Sequence, residues 1–479
     1  MNSFCSRRHF LKSSSFSLSS LALACLLRDE GLLAAPIKPT LDSQKFNLLP
    51  KSPPLQAKAR AMISLFMMGG PSHLDLFDPK PQMARYDGQP FPDNIKYDNA
   101  AEASSKVFAS PFRFAPRGQC GIEISDLLPH LSTIVDEITL VRSMKTGVNN
   151  HLESLLALNS GTFRSGQPSL GSWLSYGLGS ETQDLPAYVA MSDPRGLPQF
   201  ASQHWTSGGL PSLYQGTHVR AKEPRLLNLD PPDSLLGLAQ ARQIDLIQSI
   251  NRDHLRGHPG ELDLEARIAS YELAARMQVA AKEALDISKE SVATRRLYGV
   301  DVEVTRDYGT RCLIARRLVE RGVRFVQVLN VGQSWDHHSR LVKALPDSCA
   351  AVDQPSAALV KDLRSLGLLD TTVVHWGGEM GRLPVLQNDT GREKVGRDHN
   401  THGFSMWLAG GGFKQGFAYG ETDDWGHHAV KNVVHHYDYH ATLLRLFGFE
   451  HDKLIYQRNG QELSLTHKQN AQIISSLLA

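Results

Sequence analysis

No apolar run in this 479-residue chain approaches the roughly 20 residues that a helix needs to cross a bilayer, so no transmembrane helix is expected. Charge of one sign is scarce as well. The 51 basic and 49 acidic side chains leave a formal net charge of +2, which excludes a nucleic-acid binder that works by bulk electrostatics. Cysteine is sparse: of five, Cys5 and Cys25 fall within the first 35 residues, leaving Cys120, Cys312 and Cys349. None has CxxC spacing, so there is no disulfide framework and no cysteine zinc site; an oxidising compartment would allow one disulfide, and otherwise the three read as small buried hydrophobes. No internal repeat occurs. What is present, 41% hydrophobic and 21% charged residues, suffices for a sizeable core. The length fits one large α/β domain or two ordinary ones.

Residues 1–35 read as an export signal. Arg7 and Arg8 precede Phe10, Leu11 and Lys12, a mildly apolar stretch runs from Phe16 to Leu27, and Ala34 and Ala35 form a small-residue exit. The paired arginines resemble a twin-arginine signal, which implies a periplasmic or secreted protein carried already folded. Cys25 fits a lipid-attachment pattern poorly. Residues 36–60 read as a linker, and residues 61–470 as one domain.

In that domain ARAMISLFMMGG is a continuous apolar run ending in two glycines, the pattern of a buried parallel strand. Further strands are expected at EITLVRSM, at 186–191, at VRFVQVLNVG, at TTVVHWGG and at FSMWLAGGG. Helices are expected over Ser125–Val135, from near His151 with Asn149 or Asn150 as its cap, over 304–320, after Leu341 with a break near Pro346 or Pro355, and over Tyr437–Phe447. Residues 236–296 read as a helical insertion. Alternation of strand and helix predicts an α/β fold, a mostly parallel sheet sandwiched between helices as a three-layer α/β/α structure.

Histidine carries the functional signal. Twelve of the 20 follow residue 330, and imidazole is the commonest metal ligand. Four strand ends deliver ionisable groups: His73 and Asp75 after the first strand, Asp336, His337 and His338 in SWDHHS, Glu379 and Arg382 in GGEMGR, and Asp398, His399 and His402 in GRDHNTHG. Ligands of open α/β sheets bind at strand carboxyl ends. Carboxylates and imidazoles converging there suit a divalent cation, zinc first, with manganese, calcium or magnesium as the alternatives. His375, inside a strand, reads as a core histidine.

MMGGPSHLDLFDPKP, LVRSMKTGVNNHLESLLALNSG, SLGSWLSYGLGS, GGEMGR, GRDHNTHGFSMWLAGGG and HHYDYHATLLRLFGFEH together resemble the domain-of-unknown-function 1501 family, over roughly residues 45–465. That family is grouped with alkaline phosphatases and sulfatases. The resemblance implies an alkaline phosphatase-like fold and a metal-dependent hydrolase of phosphate or sulfate esters, with a small-molecule or carbohydrate ester as substrate. It puts Glu379 at a metal aspartate, makes Asp336 and His337 or His338 candidate contacts, and matches His402 to a late metal histidine. Two departures stand out. Gly69 and Gly70 occupy the place of paired metal-binding aspartates, leaving Asp75 and His73 as substitutes. The sulfatase nucleophile falls on His151, where there is no Cys, Ser or Thr. His151 is then a nucleophile, or a metal or substrate ligand beside an attacking water. Arg382 or Lys145 would neutralise the transferring group. The other outcome is a catalytically inactive exported binding or scaffolding protein.

Overall fold

A computed structural model describes residues 46–92, 103–230, 238–258, 261–387, 391 and 393–479. The export-signal reading of residues 1–35 lies outside the described residues. Nine strands form the central sheet: β1 (Ala61–Phe66), β2 (Ile138–Lys145), β3 (Tyr188–Met191), β4 (Thr217–Val219), β5 (Phe325–Leu329), β6 (Thr372–Gly377), β7 (Phe404–Ala409), β8 (Phe417–Tyr419) and β9 (Val434–His435). Their order is β8-β2-β7-β6-β1-β5-β3-β4, with β9 beside β2. Only β7 runs antiparallel to its neighbours. β1 lies at the centre, pairing Met62 with Phe325 of β5 and with Val373 of β6. Burial on both faces explains why β1, β5, β6 and β7 are unbroken runs of buried residues rather than alternating ones.

Helices cover both faces. Three of them are α1 (His151–Ser160), α2 (Leu170–Leu178) and, near the C-terminus, His436–Leu446. Their Leu158, Leu170 and Tyr439 line one small internal cavity together with Met62, Ser64, Phe325 and His375 of the sheet. The insertion at 236–296 contains α3 (Leu238–Gly257) and α4 (Leu262–Leu285). On the other face α5 (Glu303–Glu320) lies against β1, β5 and α6 (Leu341–Ser365). The result is a three-layer α/β sandwich with a mostly parallel sheet.

Two expectations are corrected. Ser125–Val135 holds no α-helix; it has only the 3-10 turn Leu131–Thr133, followed by Val135–Glu137. The carboxylate of Asp353 takes the amide protons of His130 and Leu131 and ties the turn to α6 instead. α6 runs through Pro346 and Pro355 without a break. Of the expected linker over residues 36–60, residues 46–60 are described, and they pack onto the domain. Phe46, Leu48 and Ala59 are buried, and Leu55, Lys58 and Ala59 donate backbone hydrogen bonds to Gly448 and Leu446.

Candidate metal centre

Four strand termini bring the candidate residues to one end of the sheet. β1 runs into Gly69 and Gly70, β5 into the loop holding Asp336 and His338, and β6 into Glu379. Antiparallel β7 enters from that end, which places His399 just before it. β2 leads into α1, where Asn150 caps the helix by accepting the amide proton of Leu152 at 2.9 Å and fixes His151 as its first residue.

Among the described residues, His151, Asp336, His338 and His399 each offer a ligand atom within 4.8 Å of the others. His338 Nε2 lies 2.9 Å and His399 Nε2 3.4 Å from Asp336 Oδ1. His151 Nε2 lies 3.2 Å from Asp336 Oδ2, but in a geometry that makes no hydrogen bond, so this buried nitrogen has no hydrogen-bond partner. The far side of each ring is held. His151 Nδ1 meets Glu379 Oε1 at 2.7 Å, His399 Nδ1 meets the backbone carbonyl of Asn149 at 3.2 Å, and His338 Nδ1 meets the side-chain oxygen of Gln387. These oxygens accept, so each neutral ring keeps its proton on Nδ1 and turns an Nε2 lone pair inward. His338 Nε2 and His399 Nε2 are 3.0 Å apart. Two lone pairs at that distance repel unless a proton or a cation sits between them. An unpartnered buried imidazole nitrogen and two facing lone pairs beside a carboxylate are the donors a divalent cation takes up.

The electrostatics of Asp336 and His399 agree, whereas His151 must give up a proton before it can ligate. Burial works against the charge of Asp336, but contacts with His151, His338, His399 and Arg382 hold its carboxyl well below the usual range. Burial pushes His399 below its ordinary value, against the pull of Asp336, which favours the neutral, ligating form. Burial also opposes a charge on His151, but contacts with Asp336 and Glu379 outweigh it and raise the ring to about 9. Without metal, then, His151 is a cation between two carboxylates. A pKa raised above the ordinary value means stability that is fully present below about pH 6.5 and fades as pH rises through about 9. Unfolding of chelator-treated protein, followed between pH 6 and 10, should show this loss, and His151→Gln should flatten it.

The other expected site residues are placed differently. Glu379, fully buried, is not among the four; its oxygens take the Gly69 amide proton at 2.9 and 3.2 Å and hold His151. It is placed to orient His151 rather than to join the group of four. Asp398 accepts the amide proton of His399 at 2.8 Å and lies 3.7 Å from His338 Nδ1, behind that ring. Asp75 is consumed by Arg397, at 2.8 and 3.1 Å, and by Ser72, with no exposed surface left. His73 spends Nε2 on the Gly426 carbonyl at 2.7 Å and Nδ1 on the Arg382 amide at 3.4 Å, so neither nitrogen can ligate. His402 packs with His427 and His428, ring centroids 5.7 and 4.8 Å away, outside the group of four. His337 turns toward Trp335 and Ser348.

Arg382 is 1% exposed, too enclosed to meet a substrate. Its guanidinium binds Gly69 O, Gly70 O at 2.9 Å, Arg397 O at 3.1 Å and Asp336 Oδ1 at 2.6 Å, clamping three loops. The two glycines permit this approach. Gly69 has φ +109°, and a Cβ there would lie 2.6 Å from the Asp336 backbone nitrogen. Gly69→Ala is expected to cost about 1–3 kcal/mol and to displace Asp336; chemical denaturation together with metal titration would measure both effects. Three outer partners were not read as such from the sequence: Asn149, named only as a possible helix cap, Gln387, which carries no local signal, and Arg397, adjacent to Asp398 but indistinguishable from a surface arginine.

Fold and cluster together define an α/β sandwich protein with a candidate metal centre at the strand ends. The chain belongs to the family described as protein of unknown function (DUF1501), whose profile it matches over residues 59–478. No curated protein matches it. Among solved structures it resembles the PsFucS1 sulfatase from Pseudoalteromonas sp., at 13% identity, covering 81% of this chain and 68% of that one, with a TM-score of 0.36. It also resembles a protein in the alkaline phosphatase superfamily from Vibrio parahaemolyticus, at 11% identity, covering 91% and 78%, with a TM-score of 0.35. A third is the phosphonate monoester hydrolase SpPMH from Silicibacter pomeroyi, at 9% identity, covering 73% and 71%, with a TM-score of 0.31. Among the described residues no helix is long and apolar enough to cross a membrane.

Proposed function

We propose that the protein is an exported, metal-dependent hydrolase of phosphate or sulfate esters, with an alkaline phosphatase-like fold and with His151, Asp336, His338 and His399 as ligands of one divalent cation. The observation that carries the reading is the inward convergence of three imidazole nitrogens on one carboxylate, each ring braced from behind. Three nitrogens and one oxygen suit zinc better than magnesium or calcium, which prefer oxygen. A bound cation would polarise the ester and acidify a water. The remaining work falls to the chain. Glu379, Gln387 and the Asn149 carbonyl aim the rings, and Arg382 holds Asp336 in place. His151 Nδ1 is held by Glu379 and its Nε2 is turned toward the proposed cation beside Asp336, so it is not offered as a nucleophile, and water is the attacking group. His338, with a side chain 34% exposed, marks the side open to solvent. The substrate class rests on the motif resemblance to sulfatases, and export to the periplasm or beyond rests on Arg7 and Arg8. A carbohydrate ester is the leading small-molecule substrate.

The missing Ser, Thr or Cys at position 151 favours a second reading, an inactive relative that binds without turnover. Zinc-loaded protein assayed on aryl phosphates and aryl sulfates, with and without chelator, separates the two. Chelator-sensitive release of the aryl alcohol supports the hydrolase. Stoichiometric metal without turnover of either ester class supports the binding protein.

A further inference from the structure

A second site lies next to the cluster. A cavity of about 660 Å³ opens where the chain leaves β5 and β3, walled by Asn330–Trp335 and by one face each of α5 and α6. That volume is in the range of small-molecule sites. Its wall continues directly into Asp336, but the inference does not depend on a metal there.

Two polar groups in this wall keep hydrogen-bonding capacity to spare. Asn330 is 5% exposed; its amide nitrogen finds only the sulfur of Met67 at 3.4 Å, and no described residue donates to its carbonyl oxygen. The buried hydroxyl oxygen of Ser334 has no hydrogen-bond partner. An unpaired buried hydroxyl and an amide oxygen with no protein donor, both beside an open cavity, suit a ligand that pairs them.

The charge of the lining says which kind. The cationic side chains Arg195 and Arg311 are both committed to Asp193, at 2.8 and 3.0 Å. Glu303, Asp307 and Asp347 also line the cavity, and none forms an ion pair among the described residues. Glu303 and Asp307 stand one turn apart on α5, where like charges repel. The cavity thus carries surplus negative charge over a floor that holds an amide oxygen and a hydroxyl without protein partners. A polyanion is repelled from such a lining, and a cation is drawn to it.

We infer that this cavity binds a small hydroxylated amine, with its ammonium group facing Glu303, Asp307 and Asp347 and its hydroxyls satisfying Asn330 and Ser334. The test is calorimetric titration of the chelator-treated full chain with glucosamine, N-acetylglucosamine and glucose 6-sulfate. Glucosamine should bind roughly tenfold or more tighter than either of the others, since only it brings a cation. The triple variant Glu303→Gln, Asp307→Asn, Asp347→Asn should erase that preference. Its three positions are exposed, and an unchanged circular dichroism spectrum and melting temperature would confirm its fold. Asn330→Ala, a second and independent variant, should weaken glucosamine binding severalfold. No binding of glucosamine at millimolar concentration, equal binding of the neutral sugar, or an undiminished preference in the folded triple variant would each overturn the inference. Because metal is absent throughout, failure here leaves the hydrolase reading untouched, and failure of that reading leaves this one standing.

Discussion

His399→Ala should weaken zinc binding by more than roughly 100-fold, whereas Glu379→Gln should weaken it by about 10–100-fold, the range expected for a partner that aims a ligand without touching the metal. The difference follows from position. His399 Nε2 is 3.0 Å from His338 Nε2 and faces Asp336, so its loss removes a donor. Glu379 stands one residue back, with Oε1 2.7 Å from His151 Nδ1, so its amide analogue keeps the shape and loses the charge that strengthens the ring as a donor. Competition titration against a chromophoric zinc chelator measures both. Cobalt-substituted protein adds a spectroscopic check, because a lost donor changes the visible bands more than a reoriented one. Equal losses in the two variants would put Glu379 in direct contact with the ion and sink the arrangement described here.

Asp75→Ala should destabilise the fold by about 3–5 kcal/mol, the usual consequence of removing one partner of a buried ion pair. Both side chains of the Asp75–Arg397 pair are fully buried, joined at 2.8 and 3.1 Å. The arginine also lies over the ring of Phe108, 4.5 Å from its centroid, so it has no route to water. Removing Asp75 strands a charge in the core rather than removing a ligand. The loss of stability should therefore be the same with and without saturating zinc, as read by urea denaturation. If the deficit appeared only in the zinc-loaded protein, Asp75 would belong to the metal site after all.

The strands were legible where the chemistry is simple. ARAMISLFMMGG and the strands near 328, 374 and 404 announce themselves because strands buried on both faces must be apolar throughout. The start of α1 was legible because Asn150 is a cap with a known preference. Ser125–Val135 misled, because the apolar spacing that suggests a helix is satisfied by two 3-10 turns once Asp353, more than 200 residues later, takes up the turn's amide protons. The site was half legible for the same reason. Asp336, His338 and His399 could be named because they sit on strand ends. Whether a buried acid becomes a ligand or half of an ion pair depends on what faces it across the fold. Asp75 and Glu379 look alike in sequence; Arg397 claims the first, while the Gly69 amide and His151 claim the second. His402 is separated from His399 by two residues, yet the turn after Asn400 directs it to His427 and His428. No local pattern records such partners.

X-ray absorption at the zinc edge of protein loaded with one equivalent of zinc tests the central claim most directly. A shell of three imidazole nitrogens at about 2.0–2.1 Å plus one carboxylate oxygen is the predicted result. An all-oxygen shell, or zinc that remains fully hydrated in solution, would contradict it.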